Sequence, residues 1–154
     1  MADIVLDTSR FTIHELRQHA VRLFEERHAQ HLLVSLVSFG FKYGVPIDSD
    51  LVFDVRFLPN PNFVPHLKPY TGADANVVEY MNSHEATRTF LDHIYSLIDF
   101  LLPQFEKEGK SYLTIAIGCT GGRHRSVMIA NAIGQHIEGR KYRVKISHRD
   151  LEKG

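Results

Sequence analysis

Continuous or alternating apolar runs that stop at turn residues predict strands, and apolar residues three and four apart predict helices. In this chain the two signals take turns. Ile4–Leu6 reads as an edge strand or a docked leader. Thr12-Ile13-His14-Glu15 has capping-box spacing and opens a helix to about Arg27, with Phe11, Leu16, Val21, Leu23 and Phe24 as its candidate buried side. "HLLVSLVSFG" is a β-rich run ending at Gly40, and "FKYGVPIDSD" is a loop before a strand expected over Leu51–Phe57.

"LPNPNFVPHLKPYTGAD" carries Pro59, Pro61, Pro65 and Pro69, which excludes a helix and predicts a stiffened loop. Asn82-Ser83-His84-Glu85 marks a helix start. Phe90, Leu91, Ile94, Tyr95, Ile98, Leu101 and Leu102 then recur at helical spacing up to Pro103, where the run is expected to end. "SYLTIAIG" has the near-continuous apolar character of a buried strand. After a glycine loop comes a helix from about Arg125 to Ile137, with Gly139 past its end, and "KYRVKISH" is the last strand.

Strands alternating with helices predict an α/β fold, a mainly parallel open sheet with helices on both faces, in a single domain. Such sheets bind ligands beyond the carboxyl ends of their strands. Three unusual loops fall there: Gly40–Gly44, the Pro/Asn segment after Arg56, and Cys119–Arg125.

Composition narrows the classes. The 154 residues suit one domain with a real core, and a formal charge of zero excludes a molecule-wide field for polyanions. One cysteine excludes an internal disulfide and fits a reducing compartment. The start "MADIVLDTSRF" lacks a signal peptide's pattern, and no apolar run approaches a membrane span, so a cytoplasmic protein without membrane contact is expected. His28-x-x-His31 and His14-x4-His19 bring no third ligand, so neither metal nor cofactor is called for.

The chemistry concentrates in "AIGCTGGRHRS", Ala116–Ser126. A strand end, a glycine turn and a helix start together leave main-chain N–H groups free at the positive end of a helix dipole. Gly121 and Gly122 let an oxyanion approach, Thr120 and Ser126 offer hydroxyls, and Arg125 offers a charge-assisted fork. Lys42 and Tyr43 in the glycine-bounded loop "GFKYG" are candidate partners. Arg56 either reaches the crevice or pairs with Asp54 or Asp48. Cys119 and Arg125 also have the C-x5-R-S/T spacing of cysteine phosphatases, in which a thiolate attacks phosphorus. Gly118 stands where those enzymes place histidine, and no single aspartate among Asp48, Asp50 and Asp54 declares itself the general acid. A thiol lining a non-catalytic anion pocket is therefore the preferred reading, with no enzyme activity expected. No Walker-type G-x4-G-K-S/T occurs.

From Arg123 to Lys153 there are eight Lys/Arg against three Asp/Glu. Lys141, Arg143 and Lys145 alternate with apolar residues, which puts them on one strand face. With Arg123, Arg140, His148 and Arg149 they form a candidate RNA-binding stripe.

"SFGFKYG", "FDVRFLPNP", "SYLTIAIGCTGGRHRSV" and "SHRDLEK", in this order, resemble the C-terminal domain of the RapZ/YvcJ family of RNase adapter and nucleotide-binding proteins. The resemblance runs from about Asp7 to Lys153. It implies an α/β domain that binds glucosamine-6-phosphate and, in one branch, small regulatory RNAs presented to an RNase. It also implies a homodimer or higher oligomer. By position, Lys42, Cys119, Thr120, Gly121, Gly122 and Arg125 match the family's ligand pocket. Tyr43 and Asn62 stand where the adapter branch has histidines, and the branch's basic tail is not matched after "LEKG". The family's Walker-type N-terminal domain is not matched either, so nucleotide hydrolysis is not carried over. The expected function is a sensing domain for an amino-sugar phosphate with a possible RNA-adapter role. The alternatives are a cysteine phosphatase and a protein-interaction module.

Overall fold

The computed structural model describes residues 12–29 and 32–153. The elements are α1 (Ile13–Ala29), β1 (Leu33–Gly40), β2 (Leu51–Asp54), α2 (Ala75–Asn82), α3 (Glu85–Glu108), β3 (Tyr112–Cys119), α4 (Arg125–Gly139) and β4 (Arg143–His148). Ile4–Leu6 and Phe11 lie outside the described residues, as do the side chains of Leu23 and Phe24.

The capping box forms as its spacing predicts. The Thr12 N–H donates to Glu15 Oε2 at 2.8 Å, and the Glu15 N–H donates to Thr12 Oγ1 at 3.1 Å. Val21, expected to be buried, is half exposed. β2 stops at Asp54 instead of Phe57, because Asp54 turns back to accept from the Arg56 N–H at 2.9 Å.

α2 falls in a stretch to which the apolar pattern assigns no element. Val77 and Met81, four residues apart, are both buried, and this one turn-pair anchors the helix. α3 runs through Pro103 and ends at Gly109, whose φ of 94° suits a left-handed C-cap. Pro103 is exposed while Leu102 is buried, so the ring points to water and burial of the neighbouring stripe outweighs the missing N–H.

The sheet is open, four-stranded and parallel throughout, in the order β2-β3-β1-β4. The α/β class and the single domain are as the alternation predicts. Val34, Leu36, Leu113, Ile115 and Ile117 point to one side and join Leu91, Ile94, Ile98, Leu102, Ile129 and Ile133 of α3 and α4 in one core cluster. The cover is uneven. The steps from β2 to β3 and from β3 to β4 move the same way across the sheet, so right-handed crossovers bring their helices to the same face. The return from β1 to β2 is a loop. The second face carries Ser35, Phe39, Thr114 and Ala116, with Val52 and Tyr112 open to solvent.

Register places the site. Gly40 lies opposite Cys119 and Asp54 opposite Gly118, so β1, β2 and β3 end level with one another. Their three following loops therefore leave the sheet side by side.

Replacing Pro103 by Ala restores an N–H for the Asp99 carbonyl. Pro103→Ala should raise stability by about 1–3 kcal/mol, read as a higher urea midpoint at unchanged slope.

Candidate functional site

The loop after β3 and the loop after β1 touch backbone to backbone. A Cβ on Gly40 would lie 2.6 Å from the Gly121 carbonyl carbon, and one on Gly122, where φ is 81°, would lie 2.7 Å from Gly40 N. Only residues without side chains allow this approach. Asp150, fully buried at the end of β4, pins the contact: its Oδ2 accepts the Gly40 N–H at 2.8 Å. Burial opposes that charge, but Arg149, the Gly40 N–H and Lys153 outweigh it and hold the carboxyl down at about 2.

Above this contact opens a crevice of about 370 Å³ lined by Lys42, Asn60, Asn62, Phe63, Cys119, Thr120, Gly121, Arg123, His124 and Arg125. Three of these are cations and none is a carboxylate. The nearest acids are already paired: Asp54 binds the Arg56 guanidinium at 2.7 Å, which keeps its carboxyl below the usual range, and Asp150 is held by Arg149 and Lys153. Among the described residues, the main-chain N–H groups of Gly121, Arg123, His124 and Arg125 have no protein acceptor. They stand at the N-terminus of α4, where the helix dipole favours negative charge.

Each predicted residue has a definite place. Lys42, Asn62, Cys119, Thr120, Gly121 and Arg125 line the crevice. Gly122 does not, because its N–H donates to Cys119 Sγ at 3.2 Å. Ser126 is fully buried behind the thiol, 3.1 Å from Sγ. Tyr43 turns away and donates its hydroxyl to the Lys153 carbonyl at 2.9 Å. Arg56 takes the second of its two expected roles, pairing with Asp54, and its guanidinium covers the Phe41 ring at 3.9 Å. Arg125 is buried and only partly available: one terminal nitrogen donates to the carbonyls of Arg56 and Leu58, and the other reaches Thr120 Oγ1 at 3.4 Å. Burial lowers its pKa, opposed by Cys119 and Asp54.

The basic stripe is broken up. Arg123 lines the crevice and donates to the Pro69 carbonyl at 3.2 Å. Arg140 pairs with Asp99, and Arg149 with Asp150. His148 lies half-buried between Ser38 at 2.7 Å and Asn131 at 3.1 Å, on the strand side opposite Arg143 and Lys145. Lys141 precedes β4, in a turn with φ of 68°. Arg143 and Lys145 remain exposed side by side on β4.

Asn60, Phe63 and His124 were missed. Asn60 carried a signal: in "NPN" its side chain caps the next turn, accepting the Asn62 N–H at 3.0 Å. Residues 32–152 match the family described as the RapZ C-terminal domain. The chain is 56% identical over 152 residues to a nucleotide-binding protein of Acidobacterium capsulatum, covering 98% of this chain and 50% of that protein. A nucleotide-binding protein of Trichlorobacter lovleyi is 51% identical over 99% of this chain and 54% of its own length. One of Bacillus cytotoxicus is 54% identical, with 99% and 52% covered. The chain spans about half the length of the curated relatives it matches.

Asp150 also sets an acid limit. Its carboxyl is lowered relative to the unfolded value of about 3.9, so its contribution is complete above that value and is lost as pH falls toward 2. Urea melts between pH 5 and pH 2.5 should show a stability loss in the wild type that is smaller in Asp150→Asn, which starts from lower stability.

Proposed function

This chain belongs to the family of RapZ C-terminal domains, and from that premise we propose that it is a non-catalytic domain that binds a phosphorylated metabolite, an amino-sugar phosphate such as glucosamine-6-phosphate, in the crevice at the start of α4. One observation carries the reading: three cationic side chains and unpaired main-chain donors line the crevice without a carboxylate. That set fits a phosphate dianion. The name shared by the relatives, nucleotide-binding protein, supports the phosphate half of the reading, since nucleotides and sugar phosphates both carry it.

Thr120, Gly121 and Arg125 cradle the phosphate, Lys42 adds charge from the loop after β1, and Asn60 and Asn62 read the hydroxyl and amino groups of the sugar. Cys119 forms the floor, backed by the buried Ser126 hydroxyl. A phosphatase has the thiol it needs there, but the crevice lining offers no acid: Asp54 is tied to Arg56, Asp50 accepts the Thr114 N–H and pairs with Lys110, and Asp48 does not line the crevice. Binding is therefore preferred over turnover. RNA is a second partner in this reading, held by Arg143, Lys145 and Lys141, in a cytoplasmic homo-oligomer that engages an RNase.

Calorimetry with glucosamine-6-phosphate tests the ligand. A charge-assisted hydrogen bond is worth about 1.5–3 kcal/mol, so Arg125→Ala should weaken binding at least tenfold. Lys42→Ala should weaken it several-fold at an exposed position that leaves the fold intact. No heat with the wild type removes this ligand.

The RNA reading makes its own demand. In gel shifts at rising salt, replacing Lys141, Arg143 and Lys145 with Ala should weaken binding and flatten the salt dependence. An unchanged shift refutes the stripe.

A further inference from the structure

His124 sits at the last position before α4, lines the crevice and is 6% exposed. Its Nε2 is buried and meets no partner in hydrogen-bond geometry, although the main-chain carbonyls of Tyr70 and Lys68 stand close enough to act on the ring. A buried, unpaired ring nitrogen is costly unless a partner arrives in some other state of the molecule. The main chain that carries the ring is also held in place: a Cβ on Gly72 would collide with the His124 carbonyl oxygen, and the Gly72 N–H donates to the Arg123 carbonyl at 2.9 Å. The segment from Lys68 to Gly72 thus packs directly on the loop that carries the histidine.

Resting on the anion-binding reading above, we propose that His124 determines which anions the crevice accepts, by taking up a proton when a doubly charged oxyanion binds. The surrounding groups are opposed in sign. Arg123 and Arg125 on either side, and Lys42 across the crevice, disfavour a third positive charge. The carbonyls of Tyr70 and Lys68, in the overlying segment, favour it. The Cys119 thiol lies at the floor, and the Asp54 carboxylate is neutralised by Arg56. Burial first, and then the two arginines, hold the imidazole's pKa below its ordinary value against the pull of the two carbonyls.

A dianion in the crevice offsets the arginine charges, so the imidazolium becomes tolerable and donates to the Lys68 and Tyr70 carbonyls. A monoanion, such as a phosphodiester, offsets half as much. The coupling is reciprocal: what raises proton affinity raises anion affinity when protons are abundant. A terminal phosphomonoester is therefore preferred to an internal phosphate linkage.

Sulfate is the probe, because it stays doubly charged across the range in which histidine titrates. Imidazole NMR of the wild type, without and with saturating sulfate, should show the His124 midpoint rising by at least one pH unit. Sulfate affinity should increase up to tenfold per unit of acidification between the two midpoints, and this slope should vanish in His124→Asn. Sulfate binding with an unmoved His124 and no pH slope overturns the proposal while the anion site stands. Absence of sulfate and sugar-phosphate binding at every pH overturns the anion site itself and the proposal with it. The wild-type titration decides the matter even where His124→Asn does not fold.

Discussion

Everything at the carboxyl end of the sheet depends on two glycine turns meeting without side chains between them. Gly40 closes β1 and Gly122 lies in the turn after β3, and their backbones approach more closely than any Cβ allows. Hydrogen bonding enforces the approach: the buried Asp150 carboxylate takes the Gly40 N–H, and Arg149 and Lys153 neutralise it. Because Asp150 follows β4, the last strand locks the first two loops.

That lock explains how charge is distributed. Acids near the crevice are consumed by partners of their own, Asp54 by Arg56 and Asp150 by Arg149 and Lys153, while Lys42 and Arg123 keep their charge facing the opening. Unbalanced positive charge in a concave, partly dry place raises the local potential far above that of a neutral surface. A protein with no net charge thus has a local excess of positive charge in this crevice. Arg125 has two duties: its guanidinium ties the Arg56–Leu58 turn to α4 and leaves part of its fork toward the crevice. Substituting it affects both the shape and the charge of the site, whereas Lys42 contributes charge alone.

The thiol belongs to the same architecture. Sγ receives the Gly122 N–H and contacts the Ser126 hydroxyl, so it helps set the turn. Its spacing to Arg125 matches a phosphatase loop, yet Asp54 and Asp50 are engaged by Arg56 and Lys110, and no carboxylate lines the crevice. The spacing here belongs to a turn that the thiol itself helps to hold.

Much of this was legible in the residues. The period of the apolar positions identified the strands, the long helix and α4, since burial of one face is a local pattern. The glycine turn before a helix located the crevice, because unpaired N–H groups there follow from helix geometry alone. Other features required the folded chain. α2 rests on two buried residues, Val77 and Met81, too few to stand out beside a proline-rich loop. The helix passes Pro103 because packing of its buried stripe overrides one lost hydrogen bond. Tyr43, Arg56, His148 and Arg149 carry suitable chemistry, but their partners come from residues distant or differently turned in space, and those partners decide that they face away from the crevice or the stripe. His124 was invisible for the converse reason: a histidine between two arginines reads as surface charge until tertiary packing buries its ring. Local periodicity and main-chain geometry are properties of neighbouring residues, and the sequence states them directly. Which charged groups cancel and which remain free depends on distances across the fold, and only the tertiary structure decides them.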